Sequence, residues 1–170
     1  MLFAPYLAHG ADDAALTPSH KAKILVAGLS FSRNLRDRGD AGFHVVTVGD
    51  CPTADELKSL EGKPVNNQAL HVTRVEASNS AQLEQQLNAG AAALFYCPDG
   101  AKLAGQVTAN ASSHKVITVA DDPGLVADHL AMVGVEVRNG RPALLLNATL
   151  AKEVGLDFDP RVYTVSRVIK

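Results

Sequence analysis

The sequence is poor in the features that mark several classes of protein. Among its 170 residues there is no tryptophan, and its apolar runs are far shorter than the ~18 residues that suggest a membrane span. Its 16 basic and 18 acidic residues are spread along the chain, and without a basic cluster a nucleic-acid partner is not expected. An apolar share of 46% with 20% charged residues indicates a globular protein.

Motifs for catalysis are also missing. The sequence contains no Walker phosphate loop, no glycine-rich dinucleotide fingerprint and no Gly-x-Ser-x-Gly nucleophile elbow. Its six histidines lack the spacing of metal ligands. Four aspartates follow predicted strands, where a metal or phospho-acceptor site is one interpretation and loop or helix-capping roles are the favoured one: Asp50, Asp99, Asp121 and Asp122. We therefore predict no catalytic residue, no cofactor and no metal site.

The N-terminal segment bears on the cellular compartment. Residues 1–8 are apolar, and the small residues Ala8 and Gly10 precede a cleavage position before Ala11, as at the end of a secretory signal. A terminus that is apolar by chance is the alternative. We predict a leader over residues 1–17 and a single α/β domain over residues 18–170.

The rest of the chain alternates between helices and strands. Thr17 and Pro18 predict the start of a first helix, which should end near Gly39. Strand-like and helical segments then alternate, which indicates βαβ units with a parallel sheet. The predicted strands cover 43–49, 70–75, 92–97 and 115–120, and the predicted helices cover 52–60, 80–89 and 100–111.

The C-terminal part follows a different pattern. Asn139-Gly140 separates two strand-like segments and predicts an antiparallel hairpin, because both central residues of a type I′ turn need positive φ. A helix over 148–154 and a strand or extended tail over 163–169 follow. The predicted fold is a flavodoxin-like three-layer α/β sandwich with a mostly parallel sheet and a C-terminal antiparallel hairpin.

The two cysteines fall at the carboxyl ends of strands that are neighbours in such a sheet. Cys51 lies just past the first predicted strand, and Cys97 ends the third. Adjacent strands are about 4.8 Å apart, which lies within the Cα separation that a disulfide accepts. In an exported protein this placement predicts a Cys51–Cys97 disulfide, whereas in a cytosolic protein two inert thiols are expected.

Several segments, taken in their order along residues 19–170, resemble the YfiR/HmsC family. The first helix resembles the branch of that family with an Arg-Asn-Leu ending, here Arg33-Asn34-Leu35, and lacks the aromatic-Trp-Pro ending of the more familiar branch. Asn67 stands where the family usually has glycine. The other matching segments are 21–25, 60–67, 115–119, 133–135, 139–142, 146–151, 155–158 and 165–169.

The resemblance implies an exported, periplasmic and non-enzymatic regulator. Better-studied relatives bind the periplasmic domain of a YfiN-type diguanylate cyclase and hold it inactive, and its release raises cyclic di-GMP and favours biofilm. The Arg-Asn-Leu ending leaves a sensor kinase or a transport system open as the inner-membrane partner. Two other classes stay open as well: a periplasmic small-ligand sensor that uses the carboxyl-end crevice of the sheet, and a thiol or flavin redox protein.

The C-terminal region is the predicted partner-binding surface. The strand at 142–147 has no polar alternation, so it must be buried on both faces or meet a partner. The tail after Pro160 alternates, so Tyr163, Val165 and Arg167 are expected to share one face. Completion of the sheet and capping of the first helix are the alternative roles. The predicted partner-binding residues are Arg33, Asn34, Asn147, Tyr163 and Arg167.

The first helix also bears on assembly. It carries the apolar residues Ile24, Leu25, Phe31 and Leu35. Part of this face predicts a symmetric homodimer, and packing on the chain's own sheet is the alternative.

Overall fold

The first helix begins where the sequence predicts and ends earlier. In the computed structural model, which describes residues 16–36 and 42–170, the Thr17 hydroxyl caps the helix by accepting the His20 N–H at 3.3 Å. Helix α1 spans Pro18–Leu29 and a separate turn, α2, spans Arg33–Arg36. The two are separate because Ser32 leaves the helix and forms an isolated antiparallel bridge with Phe158. The predicted leader up to residue 15 and the predicted helix end near Gly39 lie outside the described residues.

The remaining elements alternate largely as predicted. The strands are β1 Phe43–Val48, β2 Pro64–Val65, β3 Gln68–Val75, β4 Ala93–Tyr96, β5 Ile117–Ala120, β6 Val133–Arg138, β7 Arg141–Asn147 and β8 Ser166–Ile169. The helices are α3 Pro52–Ser59, α4 Ser80–Asn88, α5 Ala101–His114, α6 Gly124–Ala127, α7 Ala148–Glu153 and α8 Val162–Val165. A 3-10 turn over Pro98–Gly100 leads into α5.

The strands form one sheet in the order β2-β3-β1-β4-β5-β6-β7-β8. The central run β3-β1-β4-β5-β6 is parallel and has the flavodoxin-like order. Strands β6 and β7 form the antiparallel hairpin, with Asn139 at φ 52° and Gly140 at φ 69° in its turn. The predicted α/β fold, with a mostly parallel sheet and a C-terminal antiparallel hairpin, is confirmed.

Helices cover both faces of the sheet. One core cluster joins α1, α3 and α7 to the sheet through Leu25, Leu57 and Leu150. Apolar side chains of α4 and α5, such as Leu83 and Ala104, belong to a second cluster. Opposite faces follow from right-handed crossovers, since the chain moves one way along the sheet from β1 to β3 and the other way from β3 to β4.

The C-terminal region differs from the prediction in one respect. Strand β7 is an internal strand, and Leu144, Leu145 and Leu146 are all buried, as its unbroken apolar run predicts. The tail, by contrast, is extended only from Ser166 onward, and Val162–Val165 is helical. The prediction that Tyr163, Val165 and Arg167 share one face of a strand is therefore wrong.

Candidate functional site

The crevice at the carboxyl ends of β1 and β4 is the usual ligand position in a sheet of this topology, because the strand order reverses there. Cys51 follows β1 and Cys97 follows β4, and a disulfide joins them with a Cα–Cα separation of 5.7 Å. The structure thus contains the disulfide that the sequence predicts. Both residues are buried, so the bond lies inside the fold and spans this crevice.

A carboxylate fills the same crevice. Asp99 accepts the Asp50 backbone N–H at 3.2 Å, and its side chain lies over Gly49, where a Cβ would collide with it. Gly49 has φ +89°, a conformation that suits glycine. A negative side chain in this place disfavours a phosphate or another anion. The crevice is therefore occupied by the protein's own disulfide and carboxylate.

The aspartates that follow β5 also have structural roles. Asp121 accepts hydrogen bonds from the Lys21 ammonium at 3.0 Å and the Thr53 hydroxyl at 2.7 Å, which ties α1 and α3 to the end of β5. Asp122 accepts the Gly124 N–H at 2.8 Å and starts α6. Within residues 16–36 and 42–170, no three His, Cys, Asp or Glu side chains come together as a possible metal site.

Two of the predicted partner-binding residues lie where α2 meets the C-terminal segment. The Arg33 N–H donates to the Asp157 carbonyl at 2.9 Å, and its guanidinium lies 3.3 Å from the Asp157 carboxylate. The Asn34 side-chain oxygen accepts the Asp157 N–H at 2.5 Å. The Asp159 N–H donates to the Phe31 carbonyl at 2.8 Å. These contacts fix the backbone just ahead of α8.

Helix α8 carries the large apolar side chains that are most exposed in the described part of the chain. Tyr163 is 46% exposed and Val165 is 56% exposed. Val165 also lines a small groove of about 200 Å³ together with Phe31 of the α1–α2 connection. We call the patch at this end of the molecule the corner surface, and define it by Phe31, Arg33, Asn34, Tyr163 and Val165.

Arg167 is not part of this patch. It lies on edge strand β8 and pairs with Glu136 at 3.3 Å. In the strand register Arg167 lies opposite Leu145, whose side chain packs with α6. The groove beside Val165 instead includes Leu144, whose side chain faces α1. Arg167 and the corner surface therefore lie on different faces of the sheet.

Asn147 is not at the surface at all. Its side chain is completely buried; the amide nitrogen donates to the Val126 carbonyl at 3.2 Å and lies 2.9 Å from the His129 Nδ1. Its oxygen caps α7 by accepting the Leu150 N–H at 2.9 Å. Asn147 cannot touch a partner directly, and its role is to join β7, α6 and α7.

Topology and the closed crevice together define a class: a flavodoxin-like α/β domain whose switch-point crevice is filled by its own disulfide and by the Asp99 carboxylate. A family model described as YfiR/HmsC-like matches residues 19–167, so the chain belongs to the YfiR/HmsC-like family. This membership supports a general role as a periplasmic regulator, and the family is a regulatory domain that is not known as enzymatic. No helix in the described residues has the length and apolarity needed to cross a membrane.

Comparison with other known proteins supports the fold. No curated protein matches the chain. Among solved structures, the ABC domain in complex with L-Trp from Streptococcus pneumonia is similar, with a TM-score of 0.56 and 10% sequence identity. The match covers 90% of this chain but only 60% of that one. At this identity the likeness shows a shared α/β fold.

Proposed function

We propose that this protein binds a membrane signalling partner in the periplasm and restrains it through the corner surface. The partner class is the periplasmic domain of a YfiN-like diguanylate cyclase or of a sensor kinase, which would link the protein to cyclic di-GMP and biofilm control. The observation that carries this proposal is the exposure of Tyr163 and Val165 on one short helix. Val165 extends an apolar groove that also includes Ile24 and Phe31, and a contiguous exposed apolar patch of this kind marks interaction sites.

The chemistry of the corner surface suits a protein partner. Tyrosine and arginine are enriched at the centres of interfaces, and Tyr163 and Arg33 supply both. The Arg33–Asp157 ion pair is exposed on both sides, 49% and 62%, so it contributes little to stability and Arg33 can pair with a partner carboxylate instead. The backbone hydrogen bonds to Asp157 hold the surface in place before binding, which lowers the entropic cost of association.

Export is part of the proposal. The apolar residues 1–8 and the cleavage pattern before Ala11 support a secretory leader over residues 1–17, ahead of the domain at 18–170. A buried disulfide supports an oxidising compartment. Processing should therefore yield a mature chain that begins near Ala11, which N-terminal sequencing of the protein from the native periplasm would measure.

The test uses the double variant Tyr163→Ala/Val165→Ala. Tagged wild-type protein should retain an inner-membrane protein with a periplasmic domain from detergent-solubilised envelope, and the variant should retain it at least tenfold less well, about 1.4 kcal/mol. The matched control is Thr149→Ala/Lys152→Ala, which changes exposed residues of α7. Unchanged retention by the corner variant, at an unchanged melting temperature, would contradict the proposal.

A second readout tests restraint. Loss of the protein in its host should raise cyclic di-GMP if the partner is a diguanylate cyclase, and the corner variant should fail to restore the lower level. Arg167→Ala, tested separately, shows whether the contact extends around β8, where Arg167 lies 45% exposed.

A further inference from the structure

A second groove lies on the other side of α1, between this helix and the β2–β3 hairpin. It has a volume of about 560 Å³. Its apolar lining includes Leu60 and Val65, which are 7% and 3% exposed and belong to the core. We call it the lysine groove, and it is lined by Lys23, Val26, Ala27, Ser30, Leu60, Lys63, Pro64, Val65 and Asn66.

The walls of the lysine groove are fixed. Strands β2 and β3 are joined by the two-residue turn Asn66-Asn67, with φ values of 51° and 66°, the geometry of a type I′ hairpin. Asparagine tolerates this left-handed conformation better than most residues. The Asn66 side-chain amide donates to the Ser30 carbonyl at 2.8 Å and ties the hairpin to the end of α1. The groove therefore exists before anything binds.

Two uncompensated positive charges stand at the groove. Lys23 comes from α1 and Lys63 from the residue just before β2, and both are exposed. Neither ammonium group has a carboxylate partner in the described part of the chain, whereas nearby Lys21 pairs with Asp121 and Lys58 pairs with Glu61. An apolar floor between two free cations is complementary to apolar side chains flanked by carboxylates.

We propose that the lysine groove docks an acidic, apolar segment of a partner protein. Carboxylates of the segment pair with Lys23 and Lys63, while an apolar side chain between them packs on Val26 and Val65. The groove is open along its length, so a small molecule would leave much of its own surface in water, unlike the deep burial typical of small-molecule sites. A polypeptide segment covers the whole groove. The site does not include the corner surface, so this docking does not depend on the function proposed above.

A charge-swap experiment tests the proposal. The probe is a short fluorescein-labelled peptide with Leu and Glu at helical spacing, and its counterpart has Lys in place of Glu. Wild-type protein should bind the Leu–Glu peptide at least about tenfold more tightly than the Leu–Lys peptide by fluorescence anisotropy, and Lys23→Glu/Lys63→Glu should reverse this preference. The matched control, Lys102→Glu/Lys152→Glu, changes net charge equally at exposed positions of α5 and α7 and should keep the wild-type preference.

Each contrary result overturns the proposal. If the control variant loses the preference as fully as the groove variant, net charge alone decides the binding. If wild-type protein shows no preference, the groove is not a docking site. If anionic phosphatidylglycerol vesicles bind wild-type protein in a groove-dependent manner and the peptide does not, the occupant is a lipid surface. The corner variant Tyr163→Ala/Val165→Ala should bind the peptide like wild type, so failure here and failure of the corner proposal are distinguishable.

Discussion

At the scale of single residues, Asn147 shows what a buried amide does for the C-terminal region. Its oxygen accepts the Leu150 N–H, so its nitrogen must face the Val126 carbonyl and His129 Nδ1, and His129 must present a lone pair. We expect Asn147→Ala to lower the free energy of unfolding by about 2–3 kcal/mol in urea, since it removes a helix cap and leaves buried groups unpaired. The control is Asn79→Ala, an exposed cap on α4, which should cost about 1 kcal/mol. Equal losses in the two variants would contradict this role.

The disulfide is a second feature of single residues with a measurable effect. It closes a loop across a sequence separation of 46, for which the chain-entropy model gives a stabilisation of about 4 kcal/mol. We expect Cys51→Ala/Cys97→Ala to lose most of this value in urea unfolding, with a larger m-value because the unfolded chain expands without the cross-link. Denatured protein from an oxidising compartment should titrate with no free thiol. Two titratable thiols would contradict the pairing.

His44 gives the molecule a pH dependence. Burial lowers the pKa of His44, the neighbouring His71 lowers it further, and Glu61 opposes the shift. The unfolded chain, with a histidine pKa of about 6.5, therefore takes up the proton first as the pH falls. Stability from this group is complete above that value and declines below it. His44→Asn should lose less stability than wild type between about pH 7 and pH 5 in urea titrations.

At the scale of elements, two helical glycines make a matched pair. A Cβ on Gly28 of α1 would lie 2.8 Å from the Leu144 side chain, whereas a Cβ on Gly105 of α5 would meet nothing within 4 Å. Gly105→Ala should raise the free energy of unfolding by about 0.5–1 kcal/mol through helix propensity. Gly28→Ala should lose that gain to crowding against β7, and the larger Gly28→Val should destabilise by about 1–3 kcal/mol. The measurement is the thermal unfolding of the three variants. A Gly28→Val variant more stable than wild type would show that α1 does not pack closely on β7.

The elements also show what a sequence can and cannot predict. The β6–β7 hairpin and the first helix start were predictable because Asn139-Gly140 and Thr17-Pro18 are local signals. The conformation of the tail was not predictable in this way, because the alternation over 163–168 fits a strand. In the structure the Thr164 hydroxyl donates to the Arg161 carbonyl and the Ser166 hydroxyl donates to the Val162 carbonyl, and these hydrogen bonds favour a helical turn.

The candidate sites also differ in whether the sequence predicts them. The disulfide followed from strand order, which the alternation of elements already contains. The lysine groove had no signal in the sequence, because Lys23 and Lys63 are far apart along the chain and each resembles an ordinary solvated lysine. The position of Asn147 within the C-terminal segment predicts a surface residue, and only tertiary packing places its side chain in the interior.

At the scale of the whole molecule, α1 separates two surfaces. The corner surface lies at its C-terminal end and the lysine groove along its other side. A partner that engages both would bind around α1, so its affinity would gain from two weak contacts on one rigid frame. The same geometry limits how α1 can serve a homodimer.

The last prediction concerns that homodimer. Leu25 and Leu29, which are 1% and 2% exposed, already pack on the chain's own sheet, so the apolar face of α1 is largely used by the fold. What remains for a second copy is the half-buried Ile24 and Phe31, with the exposed Ala27 between them. A stable interface buries about 800 Å² on each partner, more than three side chains supply.

We therefore expect a weak symmetric dimer, whose mass by light scattering rises with concentration through the micromolar range and which Phe31→Glu abolishes. Because Phe31 also belongs to the corner surface, the partner should compete with the second copy. A dimer mass that persists at nanomolar concentration, or a monomer mass close to millimolar concentration, would show that α1 is not used in this way.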